Sequence, residues 1–183
     1  MDRRQIKTRK AIMQAFYQLL NEKDFEKISV SEIANLADVG KSTFYLHFEA
    51  KELLIGQLCD DFFSHLMENH SLESHLVLSE ILSHFLRHIY LQDTKYFLRL
   101  LKGNNDIFYT YLFDYLKEIF KNYIVYSDNA STPSFDFLVN HVVNSFIEAI
   151  KWSFKSNNQQ YDEATVLDFL YCNKSLLSEH PIH

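Results

Sequence analysis

The 183-residue chain predicts an all-α protein of about nine helices, with no strand. Three observations carry that expectation. Three Gly and two Pro leave little material for tight turns, bulges or glycine-rich phosphate loops. Apolar residues recur at steps of three, four and seven, the period of one helix face. The interruptions between those stretches are short and polar. With 47% hydrophobic and 23% charged residues, the chain can bury a core and lacks a disordered composition.

The elements follow in order. Ile6, Met13, Phe16 and Leu20 mark one face of a first helix, which Asn21-Glu22-Lys23-Asp24 ends. Ser29-Val30-Ser31-Glu32 has the form of a capping box, in which hydroxyl and carboxylate satisfy the free N–H groups of a helix start. Val30, Ile33, Ala34 and Ala37 make the apolar face of the short helix behind it. Asp38-Val39-Gly40 interrupts, and a second short helix runs from about Lys41 to Phe48. A long helix starts at Glu49-Ala50-Lys51 and continues through Leu53, Leu54, Leu58, Phe62 and Leu66. Further helices are predicted near 75–91, 94–102, 106–126, 135–156 and 162–177. The run from Tyr109 to Tyr126 is aromatic enough to suggest a strand, but Ile107, Tyr111, Leu112, Tyr115, Ile119 and Tyr123 keep helical spacing.

Several classes drop out. The basic N-terminus is not followed by an apolar core or a small-residue cleavage site, so no signal peptide is expected. No apolar run approaches the about 18 residues of a membrane span. Cys59 and Cys172 lie far apart and are expected as two buried free thiols of a reduced cytoplasm. His84 and His88 are four apart, but the Phe-Leu-Arg between them lacks the catalytic Glu of a metalloprotease motif, and no third ligand has convincing spacing. No metal is expected. Neither a Walker loop, a dinucleotide fingerprint nor a nucleophile elbow is present, so an enzyme is not expected.

Residues 29–51, SVSEIANLADVGKSTFYLHFEAK, carry the informative signal. Two short helices joined by a tight turn fit a helix-turn-helix, whose second helix enters the DNA major groove. Phe44 and Phe48 are one turn apart and are predicted to pack inward against Ile33, Ala34 and Ala37. Lys41, Ser42, Tyr45 and Leu46 then face outward. Lys41 can donate to guanine O6 or N7, Ser42 can donate or accept, and Leu46 can meet a thymine methyl. Thr43, Tyr45 and His47 suit phosphate oxygens. Lys51, at the start of the next helix, is expected as a phosphate clamp.

Residues 5–55 resemble the N-terminal domain of the tetracycline-repressor-type (TetR/AcrR) transcriptional regulators. The matching residues are Thr8, Ala11, Ile12, Ala15 and Phe16, then Ile28 to Ala37. The most specific stretch is Lys41-Ser42-Thr43-Phe44-Tyr45-Leu46-His47-Phe48, followed by Lys51, Glu52, Leu53 and Leu54. Where the family usually has Gly-Val-Ser before the recognition helix, this chain has Asp38-Val39-Gly40. That replaces a Ser cap by Gly and adds a negative charge near the DNA. Leu46 stands where the family often has a polar or aromatic residue.

The resemblance implies a DNA-binding domain at 1–50 and a helical dimerisation and ligand-binding domain at 51–183. It implies a ligand-responsive dimeric regulator, a repressor in the first instance, on a near-palindromic operator. The alternative is a co-activator of the same family that acts through a protein partner with an idle DNA head. No cofactor is implied beyond a small-molecule effector, and the site of action is the cytoplasm. The residues from 56 onward are compatible, with 12 Phe, nine Tyr and one Trp for a small hydrophobic or aromatic effector. Phe97, Tyr111, Tyr115 and Phe146 are the candidate pocket residues. The wide apolar arc of 135–156 and the similar segment 162–177 suggest a four-helix interface across a two-fold axis, with Leu138, Val142, Ile150, Leu167 and Leu170 as candidates.

The net charge of −6 argues, taken whole, against nucleic acid. It divides unevenly. Residues 1–55 hold nine Lys and Arg against eight Asp and Glu, a net of +1; the remainder holds nine against 16, a net of −7. DNA binding by such a head must rest on a few placed contacts.

Overall fold

The computed structural model describes residues 2–68, 77–91, 95–103, 105–125, 133–156, 164–180 and 182. Among them lie nine α-helices and one 3-10 turn. They are α1 (Arg3–Glu22), the turn Phe25–Lys27, α2 (Val30–Leu36), α3 (Lys41–His47) and α4 (Leu53–Glu68). They continue with α5 (Leu78–Leu91), α6 (Lys95–Lys102), α7 (Asp106–Phe120), α8 (Phe135–Ser156) and α9 (Ala164–Cys172). Strand-like pairing among the described residues is one antiparallel bridge, Ile124 with Leu177. The all-α expectation holds.

By packing, the chain forms two compact units, Met1–Phe62 with Thr94–Tyr109 and Phe63–Asp93 with Thr110–His183. The functional cut drawn at residue 50 is not a packing boundary, because α4 as far as Phe62 and all of α6 belong with the head.

In the first unit α1 buries Ile12, Met13, Ala15, Phe16, Leu19 and Leu20. Ile6 shares that periodicity but is 54% exposed, and its neighbours in the first turn of α1 are exposed too. The capping box of α2 is formed: Ser29 Oγ accepts from the Glu32 N–H at 3.3 Å, and Glu32 Oε2 accepts from the Ser29 N–H at 3.0 Å. Lys23 pairs with Glu32 as well. Hydrogen bonds from Lys23 and then Ser29 hold the Glu32 carboxyl down at about 2. On α6, Phe97 is fully buried, with ring centroids 5.1 Å from Phe62 and 4.9 Å from Phe108. Arg99 donates to the carbonyls of Asn21 and Glu22 at 3.2 and 3.3 Å, tying α6 to the end of α1.

The second unit is built on an aromatic core. Phe146 of α8 has its ring 4.9 Å from Phe169, 5.6 Å from Phe120 and 6.1 Å from Phe85, so α5, α7, α8 and α9 all contribute. Its C-terminal chain returns across α5 and α7. Val125 N–H donates to Leu176 O at 2.8 Å, Ser178 N–H to Tyr123 O at 2.7 Å, and Leu78 N–H to Glu179 O at 2.9 Å. This corrects two helix ends. Helices were expected to about 126 and 177 but stop at Phe120 and Cys172, because Tyr123–Val125 pair with the returning chain. Cys59 is buried as expected, and burial pushes its thiol up to about 12. Cys172 is exposed, against the expectation of a second buried thiol.

Candidate nucleic-acid interface

The turn between α2 and α3 is a Schellman ending. Asp38 N–H donates to Asn35 O at 3.2 Å and Val39 N–H to Ala34 O at 2.9 Å, satisfying carbonyls that α2 leaves open. Such an ending needs a left-handed residue at its centre, and Asp38 has φ 53°. Asp reaches that region more readily than most L residues, which is why it can stand at a position glycine favours. Gly40 is the N-cap of α3 and supplies no side-chain cap.

α3 turns two rings inward. Phe44 and Phe48 are 0% and 2% exposed, with ring centroids 5.9 Å apart, and Ile33 and Ala34 are buried on α2, which packs against α3. Lys41 and Ser42 are exposed, Tyr45 is 52% exposed and Leu46 84%. Thr43 and His47 are half-buried at the edges of that outward face. Leu46 is the most exposed of the large apolar side chains among the described residues and serves no core. A helix anchored by two rings and presenting Lys, Ser, Tyr and Leu has the donors and the apolar tip that major-groove reading uses.

Lys51 differs from its expected placement. It lies in the turn before α4, not on a free helix end, and its Nζ donates to Phe25 O at 3.1 Å and Ile28 O at 2.9 Å. It also sits 4.4 Å from the centre of the Phe25 ring. Of three ammonium donors, two are spent on the carbonyls of the turn and its exit, leaving one for a phosphate.

Arg9 is not among the residues that the sequence motif marks. Its guanidinium stacks over Phe48 at 4.2 Å, donates from Nη1 to His47 O at 3.1 Å and from Nη2 to Gln57 Oε1 at 2.6 Å. A signal for it was present: position 9 falls on the same helical face as the buried Ile12, Met13, Phe16 and Leu20, an unusual place for a cation.

The pocket and interface candidates fare differently. Phe97 packs in the first unit, as described. In the second unit Tyr115 stacks on Phe63 at 4.2 Å, Phe146 lies in the core, and Tyr111 is 39% exposed. Phe97 and Phe146 are fully buried, whereas Tyr115 is half-buried. A surface pocket of about 320 Å³ lies between α8 and α9, with Trp152, Thr165, Phe169 and Cys172 in its wall. Leu138, Val142 and Ile150 are 8%, 0% and 0% exposed, which corrects their reading as interface residues: the apolar arc of α8 is consumed by its own core. Leu167 is 60% exposed and Leu170 half-buried. The large apolar side chains left outside on α8 and α9 are Phe137, Trp152, Leu167 and Tyr171. His84 and His88 have ring centroids 6.4 Å apart on α5, and no group of three metal-ligating side chains forms among the described residues.

Residues 12–58 match the model of the bacterial regulatory proteins of the tetR family. The chain is 33% identical to a TetR transcriptional regulator from Streptococcus agalactiae 2603V, over 93% of this chain and 96% of that one, with a TM-score of 0.75. It shares its fold, at 16% identity and a TM-score of 0.63, with NalD, the secondary repressor of the MexAB-OprM multidrug efflux pump in Pseudomonas aeruginosa; the match covers 97% of this chain and all of that one. In Bacillus subtilis (strain 168) the uncharacterized HTH-type transcriptional regulators YxbF and YvdT are 35% and 33% identical over 71 and 57 residues. Those stretches cover 36% and 31% of this chain but only 19% and 29% of the two proteins. These relatives are regulators, not enzymes, and the chain belongs to the TetR family of transcriptional regulators, with α2 and α3 as its DNA-binding helix-turn-helix.

Proposed function

We propose that the chain is a ligand-responsive repressor of the cytoplasm that binds a near-palindromic operator as a homodimer. The observation that carries this reading is the outward face of α3, where Lys41, Ser42, Tyr45 and Leu46 stand exposed on two buried rings. Lys41 and Ser42 read base edges, and Leu46 meets a thymine methyl. Thr43, His47 and the remaining donor of Lys51 reach phosphates. Two such helices must match half-sites about one DNA turn apart, ~34 Å, which calls for a dimer. The exposed Phe137, Trp152, Leu167 and Tyr171 on two mutually packed helices support one, since they are large apolar side chains that the core of a single chain leaves outside.

The effector is a small hydrophobic or aromatic molecule held among the aromatic side chains of the second unit, with Tyr111 and Tyr115 at the edge of the ring cluster. It acts by population shift: it favours an arrangement of the C-terminal helices in which α4 no longer holds both heads at half-site spacing. Sequencing the DNA that the purified protein selects from a random pool tests the reading. The expected product is a two-fold symmetric site with half-site centres about 10 base pairs, or a multiple, apart. Recovery of no enriched sequence at low salt overturns it.

A further inference from the structure

The contacts of Arg9 extend into a longer chain. Gln57 Nε2 donates to Asp61 Oδ1 at 2.9 Å, and Tyr17 OH donates to Asp61 Oδ2 at 3.0 Å. Tyr17 in turn stacks on Tyr96 of α6 at 5.6 Å. The direction of this relay is fixed. A guanidinium only donates and a carboxylate only accepts, so the Gln57 amide between them has one orientation, oxygen to Arg9 and nitrogen to Asp61. All of these residues belong to the first unit.

At its other end the relay holds His47 O, the last carbonyl of α3, which no residue of the helix satisfies. A cation there also complements the negative end of the helix dipole. α3 has only seven residues, and its N-cap Gly40 gives no side-chain bond. Phe44 and Phe48 fix which face points inward, yet both lie on one stripe and leave the tilt of so short a helix to whatever grips its ends. The exposed Arg3, Arg4, Lys7 and Lys10 contrast with the half-buried Arg9, whose fork is aimed at protein acceptors.

We infer that Arg9 is a positioning residue for sequence recognition: with Gln57 and Asp61 it sets the tilt of α3 in the groove without touching the bases. This rests on α3 being the recognition helix. The test uses the site selected by the wild-type protein and a scrambled duplex of equal length, with affinities for both measured across a salt series. The variants are Arg9→Lys and Gln57→Leu, each first checked for native helicity and melting. Gln57→Leu keeps the cation and the bulk but cuts the relay. It is expected to lower the ratio of selected to scrambled affinity about tenfold, with scrambled-DNA affinity and salt slope unchanged. Arg9→Lys is expected to do the same, since a lone ammonium lacks the planar fork that serves both acceptors. Loss of helix stability alone lowers both affinities in proportion and leaves their ratio untouched, and that outcome overturns the inference. So does full rescue by Lys, or a salt slope about one unit shallower, which makes Arg9 a phosphate contact. If Arg9→Lys does not fold, Gln57→Leu decides alone. A wild-type protein that enriches no site at all fails at the earlier step, and the inference falls with it.

Discussion

Asp38 sits at φ 53°, where an L side chain costs about 1–2 kcal/mol and glycine nearly nothing. Asp38→Gly is therefore expected to stabilise the protein by about 1 kcal/mol in a urea melt, the gain trimmed by the greater freedom of an unfolded glycine. It also removes a negative charge beside the DNA, so operator affinity should rise at low salt. Lys51 and Lys41 separate in the opposite way. Lys51→Ala strips the Phe25 and Ile28 carbonyls of a charged donor and is expected to lower stability by about 1–3 kcal/mol. Lys41→Ala, at an exposed position, should leave the melt unchanged and relax base preference instead. Equal melting shifts for the two variants would put the Lys51 tie in error. The sequence showed that these lysines flank the recognition helix. It could not show which was committed, because the carbonyls that hold Lys51 lie 26 and 23 residues away.

Among the elements, those with local causes were legible and those with distant ones were not. The capping box of α2 and the inward Phe44 and Phe48 rest on spacings of three and four, so the chain announces them. The ends of α7 and α9 depend on the returning chain at 176–179, and the helical period runs past the point where that chain intervenes. The cap of α2 gives a pH prediction. Glu32 is held at about 2 against an ordinary 4.5, so its unfolded form binds the proton first as pH falls. Its contribution is full above about pH 5 and is lost as pH drops toward 2. Glu32→Gln should flatten the acid limb of the stability profile in that window, measured by denaturant melts at stepped pH. Tyrosines give the alkaline counterpart. Burial, aided at Tyr17 by the Asp61 carboxylate, raises Tyr17 above the usual range and pushes Tyr96 and Tyr115 up to about 12. The neutral ring is the form the fold prefers, so stability is lost as pH climbs past 10. Tyrosinate absorbance should leave at least Tyr17, Tyr96 and Tyr115 un-ionised at pH 10 to 11 until the protein unfolds.

At the scale of the molecule, the charge of +1 on residues 1–55 and the apolar surface of α8 and α9 bear on one question. A head with so little net charge is expected to hold DNA weakly alone, since non-specific affinity follows the number of phosphates neutralised. Joining two heads makes the second contact intramolecular, which multiplies affinity by roughly 10²–10⁴ without any new contact. The apolar arc of α8 concealed which residues stay outside the core: a stripe wide enough for two partners reads the same whether one face or both are buried. Leu138, Val142 and Ile150 went inside, and Phe137, Trp152, Leu167 and Tyr171 stayed out. Trp152→Glu with Leu167→Glu places charge on that outer surface, where both wild-type side chains are more than half exposed, so the protomer fold should survive. Sedimentation is expected to give twice 21.7 kDa for the wild-type chain and a single chain for the double variant. Affinity for a full operator should then fall by about 10²-fold or more, while affinity for an isolated half-site stays at the wild-type value. A variant that remains dimeric places the interface elsewhere on the molecule, and a wild-type protein that sediments as a single chain removes the dimer from the mechanism.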